Sequence, residues 1–186
     1  AVVASALTGI GAFVAAGRVD APAQVAAAVL ATLLAVAAGN AINDYFDRDI
    51  DRINAPDRPI PRGAVAPRGA LLWSLGLFAV AIVLALTLPP IAIGIAALNF
   101  VGLVAYTSFF KGRPGAGNAL VAYLGGSTFL FGAAAVGRVW EGTILFALAA
   151  LSTFAREVIK DVEDVAGDRS EGLRTIPIAY GTDVAS

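Results

Sequence analysis

The sequence predicts an all-α, polytopic membrane bundle, and three observations carry that prediction. Hydrophobic residues fill 58% of the 186 positions and charged residues only 15%, where soluble domains run near 45–50% and about 25%. Charge is excluded from long stretches: 1–17, 21–43, 69–110, 114–137 and 142–155 hold none. These stretches also lack the polar face, repeating every 3.6 residues, that the helices of a large soluble core would show.

A helix needs about 20 apolar residues to cross the hydrocarbon. The 69–110 run is too long for one crossing, and Pro89-Pro90 divides it into two. Six helices follow in order, at about 1–17, 22–43, 70–88, 91–109, 117–137 and 142–165. The first has no basic leader before it, so it reads as a span rather than a signal peptide. A start at Ala1 without Met makes the chain read as part of a longer protein. Gly9, Gly11, Gly94, Gly102, Gly125 and Gly126 lie inside the spans, where small residues let helices approach closely in lipid.

Composition also excludes. A disordered tail, a basic-faced nucleic-acid binder and a disulfide-stapled module do not fit this chain. With no Cys and no His, ordinary zinc, haem and iron–sulfur sites have no ligands, and no histidine base is available. Any bound metal must be held by oxygen.

Assigning the connecting loops to alternate sides of the membrane gathers eleven of the thirteen basic residues on one face, leaving only Arg18 and Arg138 on the other. The positive-inside rule places the crowded face in the cytoplasm, and the chain in the cell membrane as a multi-pass protein. The acids gather there too, although acids contribute little to topology. In the first cluster Asn43, Asp47 and Asp51 stand at i, i+4, i+8; in the second Glu157, Asp161, Asp164 and Asp168 stand at i, i+4, i+7, i+11. Each set forms one helical stripe. Stacked carboxylates repel, and the cost rises as water is removed, so a cation is needed to offset it. Oxygen-only ligation favours Mg²⁺, which keeps positions open for substrate phosphates. A solvated helix end can carry an acidic run as well; two such runs on one face, each ending a span, point to chemistry.

A basic set lies beside the acids. Arg58 and Arg62 flank Pro59-Ile60-Pro61, which stiffens their loop, and Lys111 follows the fourth span on the same face. Guanidinium forks and a lysine point charge suit phosphate oxygens. Arg68 and Arg113 are read as topology signals only.

These residues resemble the UbiA-type intramembrane prenyltransferases. Asn43-Asp44-x-x-Asp47-x-x-x-Asp51 matches the first aspartate motif of that superfamily, and Asp164-x-x-x-Asp168 after Lys160-Asp161 matches the second. The string from Asp51 to Gly63 is similar to its cytosolic loop. The resemblance implies a nine-helix fold of which about six helices are present, residues 1–186 forming one domain truncated at its C-terminus. It implies Mg²⁺-dependent transfer of an isoprenyl group from its diphosphate to a lipid-soluble acceptor within the bilayer, with no nucleic acid involved. Asn43, Asp47 and Asp51 would serve one metal, and Asp164 and Asp168 the other. Arg58, Arg62 and Lys111 would hold diphosphate or acceptor phosphate. Asp44, Glu157 and Asp161 would be supporting ligands or a base. Within the family, the Phe154–Asp164 run and the Lys111–Asn118 loop are nearest to the archaeal subgroup that prenylates geranylgeranylglyceryl phosphate for ether-lipid synthesis. Chlorophyll synthases share the Asn54–Gly63 string, so an aromatic quinone precursor and chlorophyllide stay open as acceptors.

Cleaving an allylic diphosphate needs a neutralised leaving group and dry walls for the cation. Tyr106 and Tyr123, with Phe100, Phe109 and Phe129, are candidate ring faces for that cation. A proton must leave the acceptor hydroxyl, and Asp161, Asp44 or the released diphosphate could take it. Three rivals are weaker. A cation-linked transporter would place its acids near mid-span, and a soluble terpenoid synthase would not need uncharged runs of this length. The Asp-Gly-x-x-Ala-Arg string of the CDP-alcohol phosphotransferases does not occur.

Overall fold

The computed structural model describes all residues except 19–20, 111–112, 171, 173 and 183–186, and gives the backbone alone for 50, 53, 54, 107, 108, 166, 167 and 170. The described residues form helices and turns, with no strand among them. In chain order these are α1 (Val2–Ala16), α2 (Pro22–Phe46), α3 (Arg48–Asn54), α4 (Pro67–Ala85) and α5 (Pro90–Ala105). A π turn at Tyr106–Phe110 extends α5. Next come α6 (Ala116–Ala135), a 3₁₀ turn at Val139–Gly142, α7 (Thr143–Glu163), α8 (Val165–Ser170) and α9 (Ile176–Tyr180).

Prolines start several of these helices. Pro22, Pro67 and Pro90 each occupy the first helical position, where the missing N–H costs nothing and φ is already set. Pro89-Pro90 separates α4 from α5 as the sequence predicts. Four segments are long and apolar enough to cross a membrane: Pro22–Phe46, Pro67–Ala85, Ala116–Ala135 and Val139–Glu163. The other two expected spans are shorter as α-helices, 15 residues in α1 and 16 in α5. In α5 the regular ladder gives way to wider π turns at Tyr106, so the rod continues although the α-helix does not.

α2 packs along α4, and α6 sits between α1 and α7. The α1–α6 contact is backbone against backbone: a Cβ on Gly132 would strike the Thr8 carbonyl oxygen, and one on Gly11 the Phe129 carbonyl oxygen. With no hydrophobic gain available between helices in lipid, such close packing is a main source of adhesion. Buried hydroxyls add ties. Thr8 and Thr32 share a hydrogen bond of 3.0 Å between α1 and α2, and Ser74 Oγ donates to the Ala38 carbonyl across α4 and α2 at 2.9 Å. At one end of the bundle Ala28, Ala31, Leu88, Ala92, Phe131, Ala134 and Ala135 form a dry core. That core is the floor on which the site rests.

Candidate active site

Each acidic stripe crosses a helix junction, and the junctions are alike. α2 ends at Phe46 and α3 begins at Arg48, with Asp47 between them at φ −84°, ψ 2°. α7 ends at Glu163 and α8 begins at Val165, with Asp164 between them at φ −92°, ψ 4°. Both lie in the sparsely used bridge region, where many active-site residues sit. The i→i−4 bonds run through: Asp47 N–H donates to Asn43 and Asp51 N–H to Asp47, while Asp164 N–H donates to Lys160 and Asp168 N–H to Asp164. The side-chain register of each stripe therefore survives the break.

In the first motif Asn43 and Asp47 are half-buried at the end of α2. Asp51 is 5% exposed, too dry for an unpaired charge. Arg58 answers it: one guanidinium nitrogen lies 2.8 Å from Asp51 Oδ2 and 3.2 Å from Asp44 Oδ1. The loop reaches this place because Ile60, between its two prolines, is buried, and a turn closed by Gly63 at φ +76° folds the chain back. The structure thus joins Asp44, Asp51 and Arg58 to one another. Arg62 is exposed on the same loop and makes no ion pair among the described residues. Lys111 lies outside the described residues.

In the second motif Asp161 accepts a 2.8 Å hydrogen bond from Asn118 Nδ2, and Asn118 is buried in the first turn of α6. Glu157 is held by Arg156 at 2.7 Å. Asp164 is exposed. Burial raises the Asp168 carboxyl above its ordinary range, and the nearby Asp161 and Asp164 charges add to the rise. The buried Thr175 hydroxyl, which makes no hydrogen bond of ordinary geometry, lies near enough to pull the other way, as does Lys160. Tyr106, in the π turn, feels the charges of Glu157 and Asp161.

Between the helices lies an apolar chamber of about 240 Å³. On α2 its wall runs from Ala31 through Thr32, Ala35, Val36, Gly39 and Asn40 to Asn43, about 18 Å at 1.5 Å per residue. Asn43, a residue of the first motif, stands at its mouth, and Ala31 and Phe131 at its floor belong to the dry core. Phe78 of α4 and Phe100 of α5 meet edge to face at 5.6 Å along the wall. Of the aromatics singled out in sequence, Phe100 lines the chamber. Tyr123 packs on Phe146 of α7 at 6.1 Å, Phe129 is buried and Phe109 is exposed.

Sequence reasoning gave no role to Asn118, Asn99, Phe78 or Phe131. Asn99 lines the chamber with its side-chain oxygen buried and without a hydrogen-bond partner. A lone amide in an otherwise apolar span was a signal for it. Phe78 and Phe131 carried no signal, because nothing local tells an inward phenylalanine from a lipid-facing one.

The acids are chemically suited to Mg²⁺: every donor is an oxygen, and the Asp161–Asp164–Asp168 charges already act on one another. No three of the described carboxylates are gathered closely enough to hold an ion by themselves. Mg²⁺ takes one or two carboxylates and completes its shell with water and substrate phosphate.

Comparison with known proteins gives a consistent answer. The chain matches the UbiA prenyltransferase family over residues 2–186. Digeranylgeranylglyceryl phosphate synthase of Halobacterium salinarum is 70% identical over 178 residues, which cover 96% of this chain and 64% of the relative. The chain thus spans less than two thirds of that relative's length. A solved structure of a digeranylgeranylglyceryl phosphate synthase superposes with a TM-score of 0.88 at 36% identity, covering 98% of this chain and 65% of the other. A UbiA homologue from Archaeoglobus fulgidus, solved with DMAPP and Mg²⁺, shares the fold at a TM-score of 0.72 and 17% identity, over 98% of this chain and 65% of its own.

Proposed function

The chain belongs to the UbiA prenyltransferase family, and from that premise we propose that the full-length protein transfers a geranylgeranyl group from geranylgeranyl diphosphate to geranylgeranylglyceryl phosphate. The observation that carries the reading is Asn43, the first residue of the first motif, standing at the mouth of an apolar chamber about 18 Å deep. An extended geranylgeranyl chain has sixteen main-chain carbons; its fifteen bonds, at about 1.2 Å each, span about 18 Å. Phosphate-directed chemistry at the mouth and one such chain along the wall match the length of the feature. The 70% identity to a synthase of that name supports the choice of acceptor.

In this reading Asn43, Asp47 and Asp51 would hold one Mg²⁺ and Asp164 and Asp168 the other. When bound, the metal supplies positive charge to the diphosphate oxygens as the allylic C–O bond breaks, an effect of several kcal/mol. The chain's own residues do the rest. Arg58 passes from the Asp44 and Asp51 carboxylates to the incoming diphosphate. Arg62 and Lys111 bind phosphate oxygens. The apolar wall keeps water from the allylic cation, and the Phe78 and Phe100 rings face it with their π electrons. The acceptor hydroxyl oxygen forms the new bond to the allylic carbon as the diphosphate leaves it, and the hydroxyl proton goes to Asp161, oriented by Asn118. Glu157 supports this group. We place the motifs on the cytoplasmic side of the cell membrane, on the charge asymmetry of the loops, and residues 1–186 in one membrane domain.

The test is an acceptor panel. Full-length protein receives labelled geranylgeranyl diphosphate, Mg²⁺ and, in turn, geranylgeranylglyceryl phosphate, an aromatic quinone precursor and chlorophyllide. Label is expected in the glyceryl phosphate alone and only with Mg²⁺. Prenylation of an aromatic acceptor with the glyceryl phosphate untouched overturns the assignment.

A further inference from the structure

A second basic feature lies apart from the chamber and shares no lining residue with it. A surface pocket of about 380 Å³ is lined by Tyr45, Arg48, Ala66, Pro67 and Arg68, where the end of α2 meets the start of α4. Arg48 is fixed in it: its guanidinium stacks 4.9 Å over the Tyr45 ring and donates to the Tyr45 carbonyl at 2.8 Å. Asp49, the acid paired with Arg48, is shared, 3.2 Å from Arg52 and 3.7 Å from Arg48. Arg68 is exposed and makes no ion pair among the described residues. The pocket therefore keeps a surplus of positive charge.

What adjoins the pocket identifies its occupant. Arg68, Leu72 and Leu75 stand at i, i+4, i+7 on one stripe of α4, and Leu72 and Leu75 are 69% and 52% exposed. Trp73 beside them is 67% exposed, an interfacial aromatic of the type that sits at headgroup level. A soluble anion would use the arginines and leave this apolar stripe idle. We propose that the pocket binds the phosphate headgroup of an anionic membrane phospholipid, whose chains run down the Leu72–Leu75 stripe, at a site separate from the prenyl chamber.

Trp73 reports on the site. Full-length protein is placed in phosphatidylcholine vesicles containing equal mole fractions of either brominated phosphatidylglycerol or brominated phosphatidylcholine. The Trp73 signal is taken as the difference between the protein and its Trp73→Phe variant. Each arginine near a charged membrane is worth a factor of about five in affinity, so the brominated anionic lipid should quench Trp73 at least about fivefold more effectively. Arg68→Glu should abolish that preference while leaving helical content and prenyl transfer in detergent unchanged. If that variant does not insert, Arg68→Gln should reduce the preference. Added inorganic phosphate should leave it standing. Equal quenching by the two lipids, no quenching by either, a preference that survives loss of the Arg68 charge, or its removal by inorganic phosphate overturns the proposal.

Discussion

Replacing Ala35 by Phe puts a ring across the chamber eight residues below Asn43, and the geometry sets what should follow. At 1.5 Å per residue the usable depth falls from about 18 Å to about 12 Å, a loss slightly larger than one isoprene unit of four main-chain bonds, about 5 Å. The fourth unit of geranylgeranyl then has no room, whereas the three units of farnesyl fit once slightly bent. Burying five carbons contributes about 0.8 kcal/mol each, so excluding the last unit costs up to about 4 kcal/mol, a factor near 10³ in kcat/KM. The assay is competition between labelled geranylgeranyl and farnesyl diphosphates with the purified full-length protein and its acceptor, read as the ratio of kcat/KM values. Ala35→Phe should shift that ratio toward farnesyl by at least about a hundredfold, allowing for partial relaxation of the wall. An unchanged ratio in a protein of wild-type helicity would show that the chain lies elsewhere.

Four further outcomes are expected. Asp47→Ala and Asp164→Ala should each lower turnover by about 10³-fold or more, as losing part of a metal clamp does, with helical circular dichroism retained. Arg58→Ala leaves buried Asp51 unpaired; a partly exposed arginine limits the cost to roughly 2 kcal/mol, seen as a fall of a few degrees in Tm, and KM for the diphosphate should rise as well. Asn118→Leu removes the donor that orients Asp161 and should cost kcat more than KM for either substrate. Asp168 supplies a pH dependence. Its carboxyl is raised in the fold, so its contribution to stability is full below the ordinary aspartate range and is lost as pH climbs through the raised value. In chelator the wild-type protein should lose Tm relative to Asp168→Asn across that acidic window, by a small amount because the site is partly solvated, and Mg²⁺ at neutral pH should close the gap.

Much of this was legible in one dimension because lipid simplifies the code. An uncharged run must cross, pack or fail, so the order of helices could be read directly, and Pro89-Pro90 marked a boundary by removing donors and fixing φ. The limits were local too. Spacing of i, i+4 holds equally in a continuous helix and across the junctions at Asp47 and Asp164, since the backbone bonds bridge both, so the breaks left no trace in the pattern. Arg58 reads as a free phosphate binder in sequence; what joins it to Asp44 and Asp51 is the burial of Ile60, a long-range event. Tyr123 and Phe78 differ only in the neighbour each helix face happens to meet.

The likeness of the two junctions makes a chemical point that neither motif makes alone. A carboxylate inside a straight helix projects sideways, over the turn below it, and two such helices would offer their acids edge-on to a shared diphosphate. At each junction a long helix ends and a short one begins, while the backbone bonds and the stripe of oxygens continue across it. Asp47 and Asp164 share one backbone geometry at the same place in their motifs. Straightening one junction should therefore mimic loss of its carboxylate. Val165→Ala, which keeps both acids and raises helix propensity after the Asp164 break, should lower kcat with the KM for diphosphate rising alongside. A variant of full activity would separate the shape of the junction from its chemistry and leave the aspartates alone to account for the site.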